Sequence, residues 1–152
     1  DIGLACIEVY DLVRDEYDIQ IEFGDLSNIL AYISIGDRIQ DIERLVGALA
    51  DIKRLYAKDP KELMSAEYIA PRVCISPQGA FYGAKESVPM KETVGRICTE
   101  FVMCYPPGIP ILAPGEIITD EIIDYILYAR EKGCSMQGTE DPEMNRLNVL
   151  KL

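Results

Sequence analysis

Apolar residues recur at helical spacing in three stretches of the chain. The first stretch, residues 3–16, places Leu4, Ile7 and Val13 near one helix face. The second stretch, residues 37–58, carries a longer apolar stripe at steps of three and four residues, which predicts a helix packed on a sheet. That stripe comprises Ile39, Ile42, Leu45, Val46, Leu49, Ile52 and Leu55. The third, residues 119–133, has a predicted buried side formed by Ile122, Ile123, Ile126 and Leu127.

The ends of the second and third helices carry capping signals. Asp37 is the predicted N-cap of the second helix, with Gln40 in the reciprocal position of a capping box. Thr119 is the predicted N-cap of the third helix, and Gly133 is predicted to follow its last turn. Charged residues at both ends complement the dipole of this third helix; they are Asp120, Glu121, Arg130 and Lys132.

The segment between the first two helices has the pattern of a strand pair. Residues 19–23 alternate between apolar and polar side chains, which is the period of a half-buried strand. Turn-forming residues follow at 24–28, and residues 29–35 are rich enough in β-formers to be the partner strand.

The second half of the chain has shorter elements. Ser87 is the predicted N-cap of a short helix that has Pro89 in its first turn and runs to Arg96. Residues 100–103 and residues 145–152 are two predicted strands. Taken together, the pattern predicts an α+β fold in two parts.

The predicted domain organisation follows from these elements. A small helix–strand–strand–helix subdomain occupies residues 1–60, a connector occupies residues 61–72, and a compact C-terminal α+β domain occupies residues 73–152. A chain of 152 residues is long enough for this arrangement.

Composition narrows the function classes. The net charge of −11 repels phosphate backbones, which argues against nucleic acid. It would favour the approach of cationic small molecules, but on charge alone a solvated acidic surface that gives solubility is the simpler interpretation. No apolar run is long enough to span a membrane. The five cysteines have no C-x-x-C spacing and the chain has no histidine, so we expect free thiols, no metal site and a cytoplasmic location.

The most distinctive segment is the run from Cys104 to Glu116, with the sequence Cys-Tyr-Pro-Pro-Gly-Ile-Pro-Ile-Leu-Ala-Pro-Gly-Glu. Each proline restricts its own backbone and that of the residue before it. Gly108 and Gly115 each follow a proline, as in a type II turn, in which the glycine takes a positive φ. We therefore expect a stiff ribbon that holds the Glu116 carboxylate in one place.

This segment resembles the C-terminal region of the ornithine/lysine/arginine decarboxylases. The similarity continues upstream through Ala80-Phe-Tyr-Gly-Ala-Lys-Glu-Ser-Val-Pro-Met-Lys-Glu-Thr-Val-Gly-Arg-Ile97, and downstream through residues 133–138. Residues 3–12 and 19–25 resemble the small domain that precedes this region. The resemblance therefore covers nearly the whole chain.

The resemblance implies a parent enzyme that decarboxylates a basic amino acid with pyridoxal phosphate, with arginine favoured over lysine or ornithine. In this family the cofactor forms a Schiff base with the lysine of a Ser-x-His-Lys motif. The motif is absent because the chain has no histidine, so the cofactor-binding domain is missing and no catalytic residue is expected here. Because the chain also begins at Asp1, we expect a C-terminal piece that is inactive alone. The resemblance further implies that the full enzyme is a homodimer or a larger homo-oligomer.

Two residues are the substrate-binding candidates. Glu116 matches a family glutamate near the cationic end of the substrate, and Tyr105 could line the entry to the same pocket. The alternatives are that Glu116 only favours the dipole of the following helix and that Tyr105 is a packed aromatic. Arg96 is expected to anchor a carboxylate bidentately within the domain, and Lys85 does not match the cofactor lysine.

Two other classes of function stay open. The chain could be a stand-alone acidic module that binds polyamines or a protein partner. It could also be a hydrolase with paired carboxylates, for which only Asp120 lies close to Glu116 in sequence.

Overall fold

The computed structural model describes residues 2–59, 69–105 and 107–151. The chain forms two compact units, which we call the first unit (Asp1–Ala66) and the second unit (Glu67–Leu152). Both combine helices with small antiparallel sheets, which confirms the predicted α+β class. Within the described ranges, no helix combines the length and the apolar character that crossing a membrane requires.

The first unit has the predicted order helix, strand, strand, helix. Helix α1 spans Cys6–Tyr17, strands β1 and β2 span Phe23–Gly24 and Ile29–Leu30, and helix α2 spans Ile39–Tyr56. Apolar side chains from both helices and from the segment before β1 form its core, because each helix has one apolar face. The buried members are Leu4, Val9, Val13, Ile21 and Ile52.

The strand pair is much shorter than predicted. Strands were predicted over residues 19–23 and 29–35, whereas the ladder joins only Phe23–Gly24 to Ile29–Leu30. The Asp25 carboxylate accepts hydrogen bonds from the backbone of the next turn and holds a tight connection. Alternation indicates which face of a segment is apolar, but a strand also needs a partner along its whole length.

The start of α2 also differs from the prediction. Its N-cap residue is Arg38, and the Asp41 carboxylate accepts the Arg38 backbone N–H at 3.0 Å. The Asp37 carboxylate is instead used by the preceding turn, where it accepts the Ser34 backbone N–H at 2.6 Å. The predicted Asp37 and Gln40 pair was therefore wrong by one residue.

The described elements of the second unit are α3 (Pro77–Phe81), β3 (Lys85–Pro89), a 3₁₀ turn (Met90–Glu92), β4 (Val102–Tyr105), β5 (Ile109–Leu112), α4 (Asp120–Glu131), β6 (Ser135–Gln137) and β7 (Arg146–Leu150). Its strands form antiparallel sheets with the orders β5-β4-β6 and β3-β7, and helix α4 supplies much of the core. The buried core comprises Met90, Cys98, Val102, Leu112, Ile118, Ile122, Ile123, Ile126, Met144, Leu147 and Val149.

Several predicted details of α4 hold. The Thr119 hydroxyl accepts the Ile122 backbone N–H at 3.3 Å, which confirms the N-cap. Gly133 follows the helix with φ +91°, as a glycine after a last turn does. The predicted burial of Leu127 was wrong, since 42% of that residue is exposed, whereas its neighbour Ile126 is fully buried.

The predicted helix at Ser87 was wrong. Residues Lys85–Pro89 form β3, which pairs along its full length with β7, and only Met90–Glu92 are helical. The Ser87 hydroxyl accepts a hydrogen bond from Arg146 on β7 instead of capping a helix. A partner that lies about sixty residues away in sequence outweighs the local helix signal.

Candidate functional site

The proline-rich run forms a hairpin and the turn that follows it. Strands β4 and β5 pair antiparallel, with Cys104 opposite Ile109 and Val102 opposite Leu112. Gly108 and Gly115 both have φ +93°, as the two Pro-Gly turns predict. At the second turn, the Glu116 N–H donates to the Ala113 carbonyl at 3.2 Å.

Residues 115–118 are held by backbone hydrogen bonds on both sides. On one side, Cys98 N–H donates to the Glu116 carbonyl and Gly115 N–H donates to the Cys98 carbonyl, both at 2.9 Å. On the other side, Cys74 N–H donates to the Gly115 carbonyl at 2.8 Å and Ile117 N–H to the Arg72 carbonyl at 2.9 Å. These contacts fix the backbone of Glu116 in the middle of three adjacent segments.

The Glu116 side chain folds back onto its own turn. Its Oε2 accepts the Ala113 backbone N–H at 2.9 Å, and the residue is half-buried. The first turn of α4 is capped by Thr119 and not by Glu116. The described hydrogen-bond partner of the Glu116 carboxylate is the Ala113 amide of its own turn. No described residue donates a hydrogen bond to its second oxygen, Oε1.

Tyr105 and Glu116 lie beyond opposite ends of the β4–β5 hairpin. Tyr105 ends β4 at the Gly108 turn, where 51% of it is exposed, and Glu116 follows the other end of β5. Along β5, the turn end of the hairpin at Ile109 and the other end at Leu112 are three residues apart, which corresponds to about 10 Å. The structure therefore does not bring the two candidates together around one small group.

Arg96 has the architectural position that its sequence block implied. Its Nη2 donates to Glu86 Oε1 at 2.5 Å and to the Leu150 carbonyl at 3.1 Å. The guanidinium thus joins the two strands of one sheet, because Glu86 lies on β3 and Leu150 on β7. Its Nε is buried without a described acceptor, so the bidentate contact with a carboxylate is not formed.

Lys85 lies on β3 and pairs with the Glu140 carboxylate, whose pKa this hydrogen bond lowers. An exposed ion pair of this kind contributes little to stability.

Sequence reasoning did not identify three residues near this ribbon. Val73 and Cys74 lie beside Glu116, because the segment that carries them pairs with residues 115–117, and both residues are exposed. Cys98 is fully buried on the other side, and burial raises the pKa of its thiol to about 12. Nothing in a lone valine or cysteine signals this position, since long-range pairing creates it.

The second unit also contains a buried carboxylate, that of Glu100. Glu100 accepts the Asn148 backbone N–H at 2.9 Å, the Asn148 Nδ2 at 3.2 Å and the Glu140 N–H at 3.0 Å. These three donors satisfy its charge, as a buried carboxylate requires. Its function is to hold β7 and the turn at Glu140 in place.

The first unit has a separate acidic groove of about 390 Å³ along α1. Four carboxylates line it, and each has a partner in the chain. Glu8 pairs with Lys58. Asp11 and Asp15 pair with Arg14, and Glu16 accepts the Tyr56 hydroxyl at 2.6 Å. The negative charge of the groove is therefore partly neutralised.

The ribbon and its flanking segments lie within a stretch that matches a known family. The family model for the Orn/Lys/Arg decarboxylase C-terminal domain matches residues 53–142. The chain belongs to this family. The match confirms the resemblance drawn from the proline-rich segment.

Individual members of the family match most or nearly all of the chain. An arginine decarboxylase of Bacillus subtilis is 40% identical over 99% of this chain, and the inducible lysine decarboxylase of Escherichia coli is 28% identical over 83%. The structure of lysine decarboxylase A from Pseudomonas aeruginosa superposes on 99% of the chain with a TM-score of 0.66 at 20% identity, which shows the shared fold. The chain spans about a third of its curated relatives, 31% of the Bacillus protein and 24% of the Escherichia protein.

Proposed function

We propose that this chain is the C-terminal part of a pyridoxal-phosphate-dependent decarboxylase of basic amino acids, with arginine as the favoured substrate. The support is the family membership and the 40% identity to an arginine decarboxylase, against 28% to a lysine decarboxylase. We propose a cytoplasmic location, in line with the free thiols expected from the sequence, and a homo-oligomeric full-length protein, which the family resemblance implies.

The residues of this chain do not fit the cofactor. It has no histidine, so the Ser-x-His-Lys motif of the family cannot lie within it, and Lys85 is held by Glu140. When bound, pyridoxal phosphate supplies the electron sink for the carbanion that loss of carbon dioxide leaves. The residues that hold it would lie in the preceding domain, and the isolated chain is expected to be inactive.

The contribution of this chain would be to bind the cationic end of the substrate through Glu116. The observation that supports this function is the fixed backbone of Glu116, with one carboxylate oxygen closing the turn and Oε1 without a described donor. A guanidinium or ammonium group can donate a charge-assisted hydrogen bond to such an oxygen. Tyr105, at the far end of the hairpin, would line the entrance to the substrate pocket and would not contact the cationic group bound by Glu116.

The test uses the longer polypeptide and the substitution Glu116→Gln. Glutamine keeps a carbonyl oxygen for the Ala113 N–H, so the turn persists while the negative charge is lost. We expect KM for arginine to rise at least about tenfold, because a hydrogen bond to a charged group contributes about 1.5–3 kcal/mol. Glu121→Gln, an exposed carboxylate at the start of α4, is the control. An unchanged KM with intact folding would contradict the proposed contact.

The rival function is an acidic module that binds polyamines without catalysis. Its best location is the groove along α1, but the four carboxylates there are already partnered. We therefore favour the decarboxylase. Tight binding of spermidine by the isolated chain, lost on Asp15→Asn, would reverse this preference. The hydrolase is not favoured either, since the Glu116 carboxylate contacts its own turn.

A further inference from the structure

The first unit exposes four large apolar side chains within residues 32–39, from the segment after β2 to the first residue of α2, with polar residues and a glycine between them. Tyr32 is 80% exposed, Ile33 is 58% exposed, Ile35 is fully exposed and Ile39 is 69% exposed. Scattered exposed apolar residues are ordinary on a protein surface, but a group of large ones on one short segment indicates an interaction surface. We call residues 31–39 the apolar edge.

A groove of about 400 Å³ runs beside this edge. One wall is formed by residues 19–22, the other by residues 31–34, and the start of α2 contributes Ile42 and Leu45. No described residue accepts a hydrogen bond from the backbone N–H of Tyr32. The Leu30 carbonyl accepts the Glu22 N–H at 2.9 Å, so in an extended chain the Tyr32 N–H, two residues further on, points to the same side, towards the groove. An open backbone donor beside an apolar groove is what an additional extended segment pairs with.

The charge around the groove indicates the chemistry of its occupant. Glu22 and Asp37 line it with carboxylates that pair with no described cation, whereas Asp41 pairs with Arg38, and the whole chain carries a net charge of −11. Two copies of the chain meeting at this edge would bring like charges together, which opposes association. An occupant with apolar side chains flanked by basic ones would match both the floor and the rim.

We propose that the apolar edge is covered in the longer polypeptide by an extended segment of the part that precedes this chain. The chain corresponds to the C-terminal domain of its family and spans only 31% of the Bacillus relative. About two thirds of such a protein therefore lies outside this chain and is covalently tied to it. A tethered segment binds at a high effective concentration, so even a modest groove is occupied. This proposal depends on the family membership and not on the function of Glu116.

Amide hydrogen exchange at Tyr32 tests the proposal. In the isolated chain we expect this amide to exchange rapidly. In the longer polypeptide we expect exchange at Tyr32 to slow by at least about 100-fold, because a covered, hydrogen-bonded amide exchanges only on opening. Equal, rapid exchange in both proteins would overturn the proposal. Slow exchange in the isolated chain would also overturn the proposal. Protection that persists on dilution would mean that another part of the chain covers the edge, and protection that is lost on dilution would mean that a second copy does.

A substitution pair identifies the surface itself. Ile33→Glu in the longer polypeptide should restore rapid exchange at Tyr32 by at least about tenfold, since it places a charge in the covered groove. The same substitution in the isolated chain should leave helix content and melting temperature unchanged, because Ile33 is mostly exposed there. Tyr82→Glu, at an exposed aromatic of the second unit, is the matched control and should not alter exchange at Tyr32. Unchanged protection in the Ile33→Glu protein would overturn the proposal.

Discussion

The two units bury their apolar helices to very different extents. Helix α4 of the second unit has twelve residues and buries Ile122, Ile123, Ile126 and Ala129. Helix α2 of the first unit has eighteen residues and a longer apolar stripe, but it buries only Ala48 and Ile52. The comparison shows that an amphipathic pattern indicates a face that can be buried, whereas the supply of facing surface decides how much of it is.

The second unit supplies that surface through long-range strand pairing. Strand β3 pairs with β7 along five residues, and β4 pairs with both β5 and β6. In the first unit the only described ladder joins two residues to two. A sheet that short covers little of an eighteen-residue helix, because each strand residue adds only about 3.3 Å.

The largest expected effect comes from the core of the second unit. Ile126→Ala should lower its unfolding free energy by about 4 kcal/mol, since a fully buried isoleucine leaves a cavity on truncation. The matched control is the adjacent Leu127→Ala, which should cost under about 1.5 kcal/mol because Leu127 is 42% exposed. Urea denaturation, monitored by hydrogen exchange of the α4 amides, measures both changes in the free energy of unfolding. Equal losses would contradict the packing described for α4.

A smaller effect is expected at Gly115 and Gly133, two of the left-handed glycines of the second unit. A Cβ at Gly115 would lie 2.4 Å from the Ile75 carbonyl oxygen, whereas one at Gly133 would meet nothing within 4 Å, although their φ values are +93° and +91°. Gly115→Ala should therefore cost about 3 kcal/mol and Gly133→Ala about 1 kcal/mol. Thermal denaturation of both variants gives the difference. If Gly133→Ala were the more damaging, close approach of the backbone at Gly115 would be ruled out.

The pH dependence of stability tests the burial of the Cys98 thiol. Burial raises the pKa of the Cys98 thiol from 9.0 to about 12, so above pH 9 the unfolded thiol ionises and the folded one does not. This stabilisation is complete below pH 9 and is lost as the pH rises towards 12. Between pH 8 and pH 10 the native protein should lose about 1 kcal/mol relative to a Cys98→Ala variant. Equal pH dependence of stability in the native protein and in the Cys98→Ala variant would contradict the burial of this thiol.

The smallest effect is expected on the uncovered face of α2. Val46→Ala should change the stability of the isolated chain by less than about 0.5 kcal/mol, because Val46 is 61% exposed. Ile52→Ala on the buried face of the same helix should cost about 3 kcal/mol. Chemical denaturation followed by circular dichroism measures both. A large cost at Val46 would mean that this face of the helix is covered after all.

Local chemistry made some features predictable and left others open. Thr119 caps α4 as predicted, because a cap depends on residues within one turn of it. Ser87 was assigned to a helix and lies in a strand, since its partner Asn148 is sixty-one positions away in the chain. The predicted strand at residues 29–35 stops at Leu30 for the opposite reason, because no described segment continues its ladder.

The sequence by itself determined the family and the geometry of the ribbon. Proline restricts φ and glycine permits positive φ wherever they occur, so the turns at Gly108 and Gly115 needed no tertiary information. Only the tertiary structure decided that the Glu116 carboxylate closes its own turn and that Tyr105 lies at the other end of the hairpin. It also decided that the second unit covers its apolar helix while the first exposes much of its own. Burial depends on which distant segments meet, and a pattern read along the chain contains no such distances.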